Sequence, residues 1–125
     1  MKVLLVDDDA FLRDMYATKF IECGHEVESA SDAAEALRLI KDKQYDIVLL
    51  DMVMPGMGGL DLLKGIKQAE LKRQTMLVVL SNQSETSDRS AAAELGADGY
   101  IVKAESIPSD IVKQVETLYA DKKQK

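Results

Sequence analysis

The chain has 125 residues, 46% of them hydrophobic and 30% charged, which suits one folded domain and excludes disorder over most of its length. Its 16 Lys and Arg against 22 Asp and Glu leave a net charge of −6, which disfavours direct binding to nucleic acid or to an anionic membrane. A single cysteine excludes an internal disulfide, and no apolar run outlasts Met76–Leu80, so a reduced, cytoplasmic protein without a membrane span is expected.

In chain order, Val3-Leu4-Leu5-Val6 is a continuous apolar run without period-two alternation, as expected of a strand buried on both faces. Leu12, Met15, Tyr16, Phe20 and Cys23 then recur at helical spacing up to Gly24, a natural residue just past a helix end. This first helix is predicted to hold Cys23 as a small core residue, with His25 exposed and unpartnered in the turn that follows. Glu26–Ala30 is short and part-polar and reads as an edge strand. Asp32, with Glu35 three residues on, opens a second helix through Ala33, Ala36, Leu37 and Ile40. Ile47–Leu50 is a second buried strand, Leu62, Leu63, Ile66 and Ala69 mark a third helix, and Met76–Leu80 is a third buried strand. The fourth helix, about Asp88 to Leu95, offers mainly Ala91, Ala92 and Leu95 to the core; with the least buried area it is expected to be the mobile one. Tyr100–Val102 is a second edge strand. Ser106 and Pro108 start a last helix that carries Ile111, Val115, Leu118 and Tyr119.

Strands alternating with helices predict an α/β fold. It is a single-domain (βα)₅ flavodoxin-like doubly wound parallel sheet with strand order 2-1-3-4-5, over residues 1–121, and 122–125 form a C-terminal tail. Ligands of such sheets sit beyond the carboxyl ends of the strands. There the sequence places Asp7-Asp8-Asp9 after strand one, Asp51 after strand three, Ser81 after strand four and Lys103 after strand five. Two carboxylates about 6 Å apart repel by roughly 2–3 kcal/mol at an effective dielectric near 20, so such a cluster shifts its pKa values or recruits a cation. Mg²⁺ suits it, since it prefers oxygen ligands, needs only one or two carboxylates, and keeps waters that a phosphate oxygen can displace. Lys103 and Ser81 then meet the other phosphoryl oxygens, and Asp51, central in the sheet, is the natural nucleophile for an aspartyl phosphate.

The acidic cluster, Asp51 followed by MVMPGMGG, Ser81 thirty residues after Asp51, Lys103 fifty-two after it and Tyr100 three before Lys103 resemble a two-component response-regulator receiver domain. The resemblance implies Asp51 as phosphoacceptor, with Asp8, Asp51 and the Val53 carbonyl as Mg²⁺ ligands and Asp7 reaching the ion through water. It implies Ser81 as switch hydroxyl, Lys103 as phosphoryl partner and Tyr100 as an aromatic that changes rotamer, with Asp9 only capping helix one. The implied partners are a sensor histidine kinase or phosphotransfer protein and a downstream protein target or C-terminal output domain. Phosphorylation would alter the face of helix four, strand five and helix five and allow a dimer through it. Such a domain is a regulatory phosphoacceptor and no enzyme in its own right. Three residues depart from the pattern. Ala104 stands where proline provides a cis peptide, Asn82 where a smaller residue is usual, and Gly58 where an acid begins helix three.

Two competitors are weaker. An aspartyl-nucleophile phosphatase of the haloacid-dehalogenase kind needs an acid two residues after the nucleophile, where Val53 stands. A phosphate-independent interaction module has no need of the intact Asp8, Asp51, Ser81 and Lys103 set. The glycines at 56, 58 and 59 fail the dinucleotide spacing because Asp61 occupies the last glycine's place.

Overall fold

The computed structural model describes residues 1–54, 56–72, 74–82, 86–103 and 107–123. The elements are β1 (Lys2–Val6), α1 (Ala10–Glu22), β2 (Glu26–Ala30), α2 (Ala33–Asp42), β3 (Ile47–Asp51), α3 (Gly59–Gln68), β4 (Met76–Ser81), α4 (Thr86–Glu94), β5 (Gly99–Val102) and α5 (Pro108–Lys123). All four strand pairings are parallel, in the order β2-β1-β3-β4-β5, as the alternation of apolar runs and helical stripes predicts.

The continuous apolar runs are explained by two cores, one on each face of the sheet. Leu4, Val6, Val48, Leu50, Leu77 and Val79 pack with the apolar sides of α2 and α3 and with Ala92 of α4. Their neighbours Val3, Leu5, Ile47, Leu49, Met76, Val78 and Leu80 pack with Tyr16 and Phe20 of α1 and with Ile111, Val112 and Val115 of α5. Because successive strand residues point to opposite faces, a strand covered on both sides has no position for a polar side chain.

Local capping follows the sequence. The Asp9 carboxylate accepts from the Leu12 N–H at 3.1 Å and the Asp32 carboxylate from the Glu35 N–H at 2.8 Å, each satisfying a donor of a first helical turn. Gly24 follows α1 with φ +88°, which glycine adopts without steric cost.

Three expectations are corrected. Cys23 is exposed, because it is the C-cap of α1, one turn past Phe20, the last residue that the helix buries. The imidazole of His25 is mostly buried, 2.7 Å from a Glu116 carboxylate oxygen and beside the Phe20 ring, a pairing created where α1 and α5 cover the same sheet face. The helix continues past residue 121: Lys122 belongs to α5, and its ammonium reaches the Thr75 carbonyl at 3.4 Å and the Asp98 carboxylate at 3.6 Å. The start signal Ser106 lies outside the described residues, as does Ala104 with its peptide geometry.

Candidate functional site

The parallel register brings the carboxyl ends of β1, β3, β4 and β5 to one edge, with Asp51 level with Leu80 and Ser81 level with Val102. Asp7, Asp8 and Asp51 each offer a carboxylate oxygen, and the three lie within 4.8 Å of one another. Asp7 is buried and Asp51 half-buried, whereas Asp8 is exposed. The Lys103 ammonium sits between the two inner acids, 3.4 Å from Asp7 Oδ2 and 3.3 Å from Asp51 Oδ2, with its side chain only 7% exposed.

Burial pushes the Asp51 carboxyl above the usual carboxylate range, with the Asp7 charge adding to it and Lys103 opposing it. Burial by itself lowers the Lys103 ammonium, but Asp51 and Asp7 together outweigh it and hold its pKa above the ordinary lysine value. The acid at position 51 is thereby more basic than a solvated aspartate. Tyr16, read from the sequence only as a core residue of helix one, feels the same field. Burial raises its phenol, Lys103 lowers it, and Asp7 and Asp51 raise it further.

Asp7 is held from several sides. Its N–H donates to the Ala30 carbonyl at 3.2 Å, its Oδ1 accepts the Asp9 N–H at 3.0 Å, and its carbonyl accepts Arg13 Nη1 at 2.8 Å. Asp51 Oδ1 accepts the Val53 N–H at 3.4 Å, and the Val53 side chain is 65% exposed. Ser81 is buried at the end of β4, and Asn82 beside it is exposed. Tyr100 is half-buried against the core shared with α4, and the guanidinium of Arg89 stacks 5.0 Å from its ring centroid. Gly58 caps α3, with the acid supplied from Asp61, whose carboxylate accepts the Gly58 N–H at 3.2 Å. Arg13 and Arg89 carry no motif in the sequence; only the packing of α1 and α4 brings them to these partners.

Three clustered carboxylates and one ammonium carry a formal charge of −2, and all the acidic donors are hard oxygens, so the set fits one divalent ion such as Mg²⁺.

The sequence pattern of the response regulator receiver domain matches residues 3–116. The chain belongs to this family. As a receiver domain it is 32% identical over 116 residues to the phosphate regulon transcriptional regulatory protein PhoB of Pseudomonas aeruginosa, covering 93% of this chain and 50% of that one. It is also 32% identical over 117 residues to the transcriptional regulatory protein ResD of Bacillus subtilis, covering 94% and 47%. The receiver domain thus spans about half the length of these curated relatives. Among solved structures, the chemotaxis protein CheY4 of Vibrio cholerae superposes with a TM-score of 0.86 at 28% identity, covering 94% of this chain and 97% of that one. The response regulator TrrA of Thermotoga maritima, in complex with Mg²⁺-BeF, superposes at 0.80 with 29% identity and covers 94% and 97%. Receiver domains are regulatory phosphoacceptors of two-component systems, the coarse function this chain shares. Among the described residues, no helix is long and apolar enough to cross a membrane.

Proposed function

We propose that this receiver domain takes a phosphoryl group on Asp51 and relays the event through Ser81, Lys103 and Tyr100. The observation that carries the reading is the Lys103 ammonium, 3.3 Å from Asp51 and 3.4 Å from Asp7, beside an acid trio that fits a divalent ion. Asp8, Asp51 and the Val53 carbonyl would hold Mg²⁺, with Asp7 linked through water; when bound, the ion screens the negative charge of the incoming phosphoryl oxygens.

The donor is the phosphoimidazole of a sensor histidine kinase or phosphotransfer protein. An Asp51 oxygen attacks phosphorus in line, the new P–O bond forms as the P–N bond breaks, and the imidazole nitrogen keeps the electron pair and takes a proton. Lys103 stabilises one phosphoryl oxygen as a fixed point charge. Ser81, at the end of the neighbouring strand, donates its hydroxyl to another.

Phosphorylation adds roughly −1.5 to −2 charge at this edge. Ser81 and Lys103 are drawn toward it, Tyr100 gains room to rotate, and its contact with Arg89 passes the shift to α4. The α4, β5 and α5 face is the output, read by a downstream protein, by an output domain on a longer chain, or by a second copy of this domain. A cytoplasmic location goes with such partners.

Intact-protein mass with a small-molecule phosphodonor and Mg²⁺ tests the reading. The wild type gains one phosphoryl adduct and Asp51→Asn gains none; an equal adduct on Asp51→Asn places the acceptor elsewhere.

A further inference from the structure

Asp7, Asp8 and Asp9 are three consecutive carboxylates at one strand end, and without restraint they would splay into water to separate their charges. The turn is instead closed from two directions. From its own side chain Asp7 Oδ1 accepts the Asp9 N–H at 3.0 Å, while Oδ2 faces Lys103 at 3.4 Å. From the side of the helix the Arg13 guanidinium, one turn into α1, donates from Nη1 to the Asp7 carbonyl at 2.8 Å. That carbonyl belongs to the Asp7–Asp8 peptide plane, so its direction sets how the backbone enters Asp8, the exposed member of the acid trio.

We infer that Arg13 is a positioning residue for the divalent-ion site: by gripping the Asp7 carbonyl it orients the Asp7–Asp8 peptide and so aims Asp8 at the ion. The inference rests on the metal-binding reading of Asp7, Asp8 and Asp51. A charged donor to a carbonyl makes a stronger hydrogen bond than a neutral one. Arg13 starts within α1, whose first turn is anchored by the Asp9 cap and by the Arg13 N–H bonded to the Asp9 carbonyl at 2.9 Å. The helix is thereby fastened to the acidic turn at successive points, and the guanidinium bond to the Asp7 carbonyl is one of them.

The test is Mg²⁺ affinity from amide chemical-shift titration with MgCl₂, run beside melting temperatures in chelator. Arg13→Met keeps the apolar stem and removes the donor. Its affinity is expected to fall about tenfold, in the range seen when outer-shell partners of a metal site are removed, with the chelator melting temperature little changed. Arg13→Lys restores a cationic donor to the same carbonyl and is expected to recover most of the affinity. Lys19→Met removes the same charge from the last turn of the same helix and is expected to bind as wild type does. An Arg13→Met affinity within twofold of wild type overturns the inference, as does an equal loss in Lys19→Met, which would reduce the effect to net charge. So does an Arg13→Lys variant no better than Arg13→Met. Should Arg13→Met not fold, Arg13→Gln, whose shorter neutral amide gives up the charged donation to the Asp7 carbonyl, takes its place with the same expected loss, and an affinity within twofold of wild type overturns the inference. Failure of the wild type itself to bind Mg²⁺ would overturn the metal reading and this inference together.

Discussion

Gly59 shows how tightly the site constrains single residues. A Cβ placed there would stand 2.5 Å from the Asp51 carbonyl oxygen and 2.9 Å from the Met52 Cα, both backbone atoms that cannot swing aside. Gly59→Ala is therefore expected to cost about 2–3 kcal/mol, as overpacking of a closed core does, and to shift the end of β3; urea denaturation measures the loss. Tyr45 is the residue-scale source of pH dependence away from the site. It is buried, its hydroxyl donates to Glu28 Oε2 at 3.3 Å, and burial first and the Glu28 charge second push its phenol up to about 12. A phenol raised from 10.0 in the unfolded chain to about 12 in the fold stabilises fully below pH 10, on the order of 2–3 kcal/mol, and that contribution is lost as pH rises through 12. An absorbance titration of the phenolates is expected to show one late tyrosine near pH 12 that disappears in Tyr45→Phe; an unchanged titration would place the late step on another tyrosine. Neither Gly59 nor Tyr45 stands out in the sequence, because what matters in each is a neighbour from a different element.

Among the elements, α4 is the least anchored. Leu95, expected inside it, falls in the turn after Glu94, which leaves Ala92 as its buried apolar residue among those described, against Leu62, Leu63 and Ile66 in α3. Amide exchange in α4 is expected to be faster than in α1, α2, α3 and α5, since little apolar area is lost when it opens. Mass-detected hydrogen exchange checks this; protection equal to that of α3 would contradict it. The other helices were legible as stripes because each lies over the sheet with one wide apolar face, whereas α4, among its described residues, buries only Ala92. The same reasoning explains Cys23: its spacing continues the α1 stripe, but the helix has ended and the stripe has nothing left to cover.

At the scale of the molecule, ion binding and folding are linked. An ion bound only by the folded chain stabilises it by mass action, about 2.7 kcal/mol at a hundred times the dissociation constant. Mg²⁺ is expected to raise the melting temperature of the wild type and to raise it less in Asp8→Asn; equal rises would remove Asp8 from the site. The sheet order and the convergence of Asp7, Asp8, Asp51, Ser81 and Lys103 on one edge were readable in advance, for a physical reason. Strands buried on both faces need unbroken apolar runs, and each polar residue that ends a run must therefore emerge at the carboxyl edge. Sequence alone thus determined which residues come out at that edge. What only the tertiary structure decided is which side chains from other elements support them: Arg13 on the Asp7 carbonyl, Arg89 over Tyr100, Glu116 on His25 and Lys122 on Thr75 and Asp98. These are long polar side chains on helix surfaces. Their partners depend on how two helices sit over a twisted sheet, a relation that no local periodicity encodes.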